Sequence, residues 1–210
     1  MTTPTLYNYD LDENCYKVRL LLSHLGIEAE TIAVDVMPGK EHLSPPILAM
    51  SPKGALPILK HGNLVLTEVE AILVWLARTY DPDKKLLPED PDTLGRVMMW
   101  LSFSARTLDV AVAARATALM DMPGDIEALR RKSYDAFRIM DDHLTIQQFR
   151  GEAFLAGGTL TVADIALFPS FALSRDFNID HDEFPALRRW ANTLRLIDGF
   201  ITMPGIPDYH

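Results

Sequence analysis

The sequence predicts an α/β domain followed by an all-helical domain. Two observations carry this, with a third that separates the halves. As far as about residue 80, segments with period-2 alternation take turns with segments of helical period. Beyond about residue 93 only the helical period persists. Between them lies "TYDPDKKLLPEDPDT", Thr79 to Thr93, whose four aspartates, one glutamate and three prolines cannot continue a regular element. The expected boundaries are a first domain over 1–80, a linker over 81–92 and a helical domain over 93–210.

In the first domain "PTLYNY" reads as a strand. Cys15 to Leu25 reads as a helix with Val18, Leu21, Leu22 and Leu25 on one face and Gly26 as its C-terminal cap. "AETIAVDV" alternates as a second strand, and "EHLSPPILAMSP" is a short, irregular helical passage. "ALPILKHGNLVLTE" gives two strands joined at His61-Gly62-Asn63, and "EVEAILVWLARTY" a further helix. The order is βαβαββα. In the second half Thr93 to Met120 and Asp125 to Phe149 form long helices, broken by Met122-Pro123-Gly124. "LTVADIALFPSFALSR" follows, with a kink expected at Pro169, and then "FPALRRWANTLR".

Composition narrows the function. The 210 residues are 48 % apolar and 23 % charged, as in ordinary globular chains. No apolar run approaches the roughly 18 residues of a membrane span, and the N-terminus has no signal-like apolar stretch. A net charge of −9 without a basic cluster disfavours nucleic acid as a partner. One cysteine excludes an internal disulfide and suits a reducing cytoplasm. The six histidines make no ligand cluster with it, so no metal is expected.

Four stretches, in order and at consistent separations, carry a resemblance over nearly the whole chain. They are the strand-knot-helix opening that ends in "YKVRLLLSHLGI", then "MSPKGALPIL", "LVLTEVEAILVWLARTY" and "LTVADIALFP". Together they resemble the cytosolic glutathione transferases of bacterial type. The resemblance implies a thioredoxin-like N-terminal domain, an all-helical C-terminal domain, glutathione as cosubstrate, a small electrophile as second substrate and a homodimer.

It also implies site residues. Leu56-Pro57 would be the cis X-Pro bond that exposes the Leu56 backbone to a peptide ligand, which pairs with it like an added strand. Glu68 and the helix N-terminus behind it would hold the zwitterionic γ-glutamyl end. Lys40 and His42 fall where the family reaches the glycyl carboxylate. Phe103, Arg106 and Val110, at helical spacing, would line a cleft for the electrophile, with the arginine favouring an anionic group. Thr161 to Asp164 is a capping box with a structural role.

Two positions depart from the pattern. Asp12 stands where relatives place a Ser, Thr or Cys facing the glutathione sulfur. A carboxylate cannot donate to a thiolate and its charge opposes one; as a helix cap it is well suited. Val69 replaces the serine whose hydroxyl reaches the γ-glutamyl carboxylate, a bond of roughly 1.5–3 kcal/mol. Asn14 could supply a donor to sulfur instead. Cys15, in the first helical turn, could be an activated thiol or a small buried hydrophobe. Three readings therefore stay open: a transferase working through thiolate attack, a non-catalytic interaction module of the same fold, and a glutathione-dependent thiol-disulfide reductase using Cys15.

Overall fold

The computed structural model describes residues 3–120 and 122–207. The first half contains β1 (Thr5–Asn8), α1 (Glu13–Leu25), β2 (Glu30–Ala33), α2 (Pro45–Met50), β3 (Ile58–His61), β4 (Leu64–Leu66) and α3 (Val69–Tyr80). The strands form one sheet in the order β2-β1-β3-β4, with β1 and β2 parallel and the other pairs antiparallel. This is a thioredoxin-like sheet.

β2 shows less burial than its alternation suggests. All four of its residues are exposed, and only the following Val34 is buried. The strand pairs with β1 alone, so it lies at the sheet edge with little cover. Gly26 caps α1 in the left-handed region, donating to the carbonyls of Leu22 and Ser23. The glycine of "MSPKG" is required as well. Gly54 has φ of +64°, and a Cβ there would lie 2.8 Å from the His42 carbonyl oxygen.

The second half is helical: α4 (Pro91–Phe103), α5 (Asp109–Met120), α6 (Ile126–Phe149), α7 (Val162–Ala172) and α8 (Pro185–Arg195). The long helix expected from Thr93 to Met120 is interrupted by a π-turn over Ser104–Leu108. Such widened turns re-aim the side chains that follow them. Counted as one stretch, Pro91–Met120 does contain a window long and apolar enough to cross a bilayer. In the fold it is a core element instead, with Val97, Trp100, Leu101, Leu108, Ala111 and Ala114 buried.

α7 explains how the halves unite. Every one of its eleven residues is buried, so it is apolar on all sides and must be surrounded. It packs on α1 and α3 of the first half and on α4, α5 and α8 of the second. One hydrophobic cluster accordingly runs from Leu6 and Leu21 through Phe168 to Trp190.

A buried histidine gives the fold a defined acid sensitivity. His181 stacks on Phe171 with ring centroids 4.2 Å apart, and its Nε2 lies 2.9 Å from Ser174 Oγ. Burial pushes its pKa down to about 4. In the unfolded chain the group titrates near ~6.5, so the unfolded state binds the proton first as pH falls. The stability present above that value is lost between ~6.5 and about 4, amounting to ~3 kcal/mol. Urea unfolding across this range is expected to show that slope, and His181→Leu to remove it.

Candidate functional site

The loop between β1 and α1 is held rigidly. Arg19, the last residue of "YKVR", donates from Nη1 to Asn8 Oδ1 and from Nη2 to the Asp10 carbonyl at 2.9 Å. Asn8 in turn donates to Asp10 Oδ1 at 2.7 Å. The helical half holds the same loop from the other side. Arg115, nearly fully buried, donates from Nη1 to the Leu11 carbonyl (2.7 Å) and from Nε to Asp176 (2.8 Å). Ser170 of α7 donates its hydroxyl to Glu13 at 2.8 Å. The start of α1 therefore belongs mechanically to both domains.

Within this loop Asp12 is the N-cap of α1. Its Oδ1 accepts the Cys15 N–H at 2.7 Å, and it is half-buried. Burial pushes its carboxyl up, while the Cys15 N–H and the charge of Lys17 oppose the shift. Cys15 is completely buried, and Tyr9 N–H donates to its sulfur at 3.4 Å. Burial and the adjacent Asp12 drive its thiol well above the ordinary value. That is the reverse of an activated cysteine.

A cleft of about 190 Å³ opens beside α1, between the two domains. Asn14 and Lys17 line it from α1, Ala55 to Pro57 from the loop before β3, and Thr67 to Glu70 from the start of α3. Ser104, Ala105, Asp109 and Val112 close it from the helical half. The Leu56–Pro57 bond is cis. Among the described residues, neither the N–H nor the C=O of Leu56 makes a hydrogen bond. Glu68 is exposed at the N-cap position of α3 and its side chain makes no capping bond, which leaves its carboxylate and the first N–H groups of α3 available. Val69, at the first turn, is buried. An extended peptide strand with a zwitterionic end fits this arrangement: backbone pairing at Leu56, a carboxylate at the helix start and an ammonium at Glu68.

Profiles of known families agree with that geometry. The glutathione S-transferase N-terminal domain matches residues 6–84, and the C-terminal domain of the same family matches 123–196. The chain belongs to the glutathione S-transferase superfamily. It is 29 % identical over 188 residues to glutathione S-transferase D7 of Drosophila melanogaster, covering 88 % of this chain and 81 % of that one. A solved structure of a possible glutathione S-transferase from Rhodopseudomonas palustris superposes with a TM-score of 0.84 at 29 % identity, covering 97 % and 91 %. A glutathione transferase homolog from Lodderomyces elongisporus, solved with two glutathione molecules per subunit, has the same fold at 24 % identity. Its TM-score is 0.84, and 95 % of this chain and 96 % of that one are covered.

In this glutathione S-transferase fold the residues singled out from the sequence are not all brought together. Asn14, Leu56, Pro57, Glu68 and Val69 share the cleft. Lys40 is exposed on a separate loop with φ of +53°, and neither it nor the half-buried His42 lines the cleft. Phe103 and Arg106 line a different hollow of about 510 Å³, with Trp100, Ile139 and His143; Val110 lines neither. The helix face toward the cleft is the one bearing Ser104, Ala105, Asp109 and Val112. Spacing alone gives two candidate faces, and the π-turn decides which looks inward. Lys17, Ser104 and Asp109 were not singled out by the sequence. Their signal was present only as one letter of "YKVR" and as the i, i+4, i+7 set Ala105, Asp109 and Val112. Among the described residues no group of three or more His, Cys, Asp or Glu could hold a metal.

Proposed function

We propose that the chain is a glutathione transferase that binds glutathione along Leu56 and Glu68 and attacks a small electrophile with the bound thiolate. The observation that carries this is the unpaired Leu56 backbone beside the free carboxylate of Glu68 and the open start of α3. Glutathione lies antiparallel to the exposed backbone at Leu56, its γ-glutamyl carboxylate on the α3 N–H groups and its ammonium on Glu68, with Asp109 opposite. Without the hydroxyl of the usual serine at Val69, the carboxylate relies on the backbone donors, and binding is weaker but retained. The sulfur then faces the start of α1, near Asn14.

The electrophile enters from the helical half, over Ala105 and Val112, which give an apolar wall. Lys40, with its exposed ammonium, and His42 serve the glycyl end only if their loop closes on the ligand. Phe103, Arg106 and Val110 serve the second substrate only if it extends around the helix. The protein acts in the cytoplasm as a homodimer; its exposed Met99 and Ile139, which line one hollow, give apolar surface a partner would cover, and sedimentation as two chains tests this.

Reductase chemistry through Cys15 is the weaker reading, because a completely buried thiol with a raised pKa cannot exchange readily with a disulfide. The two readings separate in one experiment. Glutathione-dependent conjugation of a panel of chloronitroaromatic and unsaturated-carbonyl electrophiles is expected in the native protein and in Cys15→Ser alike. Activity on mixed disulfides that vanishes with Cys15→Ser would reverse the assignment. Absence of turnover with every electrophile, despite glutathione binding, would favour the interaction-module reading.

A further inference from the structure

The site poses a chemical problem. A thiolate needs a donor or a cation, yet the position that normally supplies one holds Asp12, whose carboxylate is engaged with the Cys15 N–H. Cys15 itself is buried and drawn into the core. Two other groups line the cleft and can act on an anion. Lys17 is the only cationic residue among those that line it. It is 2 % exposed and makes no hydrogen bond among the described residues; its charge acts on the carboxyls of Asp12 and Glu13, and Glu68, Glu70 and Asp109 line the same cleft. Ser104 lines the opposite wall, 3 % exposed, and its hydroxyl is buried with no partner. A buried hydroxyl without a partner is rare in native proteins and asks for an explanation. Here the Ser104 hydroxyl and the Lys17 ammonium line one cleft from the two domains, and an anion bound between them would meet both.

We propose that Lys17 and Ser104 together take over the role of the missing hydroxyl and stabilise the glutathione thiolate. The proposal rests on the glutathione-binding reading above. On binding, the thiol S–H bond ionises, the proton leaves to solvent and the negative sulfur stays in the field of the Lys17 ammonium. The Ser104 hydroxyl donates to it. Neither group is consumed, and the sulfur keeps the electron pair with which it attacks the electrophile. Asp12 keeps its structural task at the helix start. Fixed donors from two domains make this electrostatic preorganisation, held in register by Arg115 and Ser170.

The test is the ultraviolet thiolate absorbance of bound glutathione as a function of pH, in the native protein, Lys17→Met, Lys17→Arg and Ser104→Ala. Calorimetric titration with glutathione and with S-methylglutathione, which has no ionisable thiol, accompanies it. Lys17→Met is expected to raise the apparent pKa of the bound thiol by about one unit, an ionisation constant about tenfold smaller. Ser104→Ala is expected to cost about threefold, a lost hydrogen bond of the ordinary kind. Lys17→Arg retains the charge and is expected to stay near the native value. S-methylglutathione is expected to bind the native protein and all three variants alike. An unchanged thiol pKa in Lys17→Met and Ser104→Ala overturns the proposal. So does equal weakening of both ligands, which would mean that the donors hold a carboxylate. Should Lys17→Met not fold, Ser104→Ala decides on the same criteria. If the native protein binds neither ligand, the glutathione reading itself is wrong and the proposal falls with it.

Discussion

Replacing Asp164 by alanine is expected to destabilise the protein by about 3–5 kcal/mol, as when one partner of a buried polar cluster is removed and the others are left unpaired. Asp164 is fully buried and accepts four hydrogen bonds. The donors are Leu155 N–H at 3.0 Å, Thr161 N–H at 2.9 Å, the Thr161 hydroxyl at 3.1 Å and Trp190 Nε1 at 2.9 Å. They come from a loop, a helix cap and α8, so one carboxylate fastens three parts of the helical half around α7. Alanine leaves all four donors without water or partner. Asparagine is expected to recover only part of the loss, because its amide NH₂ would face N–H groups. Denaturant unfolding followed by tryptophan fluorescence checks this, and a loss under about 1 kcal/mol would show that the hub relaxes or hydrates.

The second large effect concerns the ligand and leaves the fold alone. Glu68→Ala is expected to weaken glutathione binding about 30-fold, since an ion-paired hydrogen bond of about 2 kcal/mol is lost. Stability is expected to stay at the native level, because the Glu68 side chain is exposed and caps nothing. The contrast with Asp164→Ala is informative: two acidic residues near helix starts, one structural and one free for a ligand. Calorimetry gives the affinity and thermal unfolding the stability. A native affinity in Glu68→Ala would place the ammonium elsewhere, with Asp109 as the next candidate.

Much of the architecture is legible in the residues themselves. The period-2 runs mark the four strands, and the helices begin and end within a few residues of their expected limits, as at Gly26, whose capping role is readable. The capping box at Thr161 and Asp164 is present, although the letters give no hint that the same carboxylate also holds Leu155 and Trp190. The π-turn over Ser104–Leu108 has no local signature, and it determines which face of the long helix meets the cleft. This is why the hollow of Phe103 and Arg106 proves distinct from the cleft of Ala105 and Asp109.

The open readings of Asp12 and Cys15 close once burial is known. Asp12 is a capping residue, a role its chemistry suggests, and Cys15 is the small buried residue beside it. Burial sets both, and burial depends on contacts across more than a hundred residues, such as Arg115 to Leu11 and Ser170 to Glu13. Local patterns do not encode such contacts. For the same reason Lys17 looks like a solvated helix residue in the sequence and is nearly inaccessible in the fold.

The central claim is that the cleft beside Leu56 binds glutathione. Calorimetric titration of the purified protein with reduced glutathione at neutral pH tests it most directly. The account predicts saturable binding of one molecule per chain, in the micromolar to low-millimolar range. No saturable heat at millimolar glutathione would contradict it and leave a glutathione transferase fold whose ligand cleft serves something else.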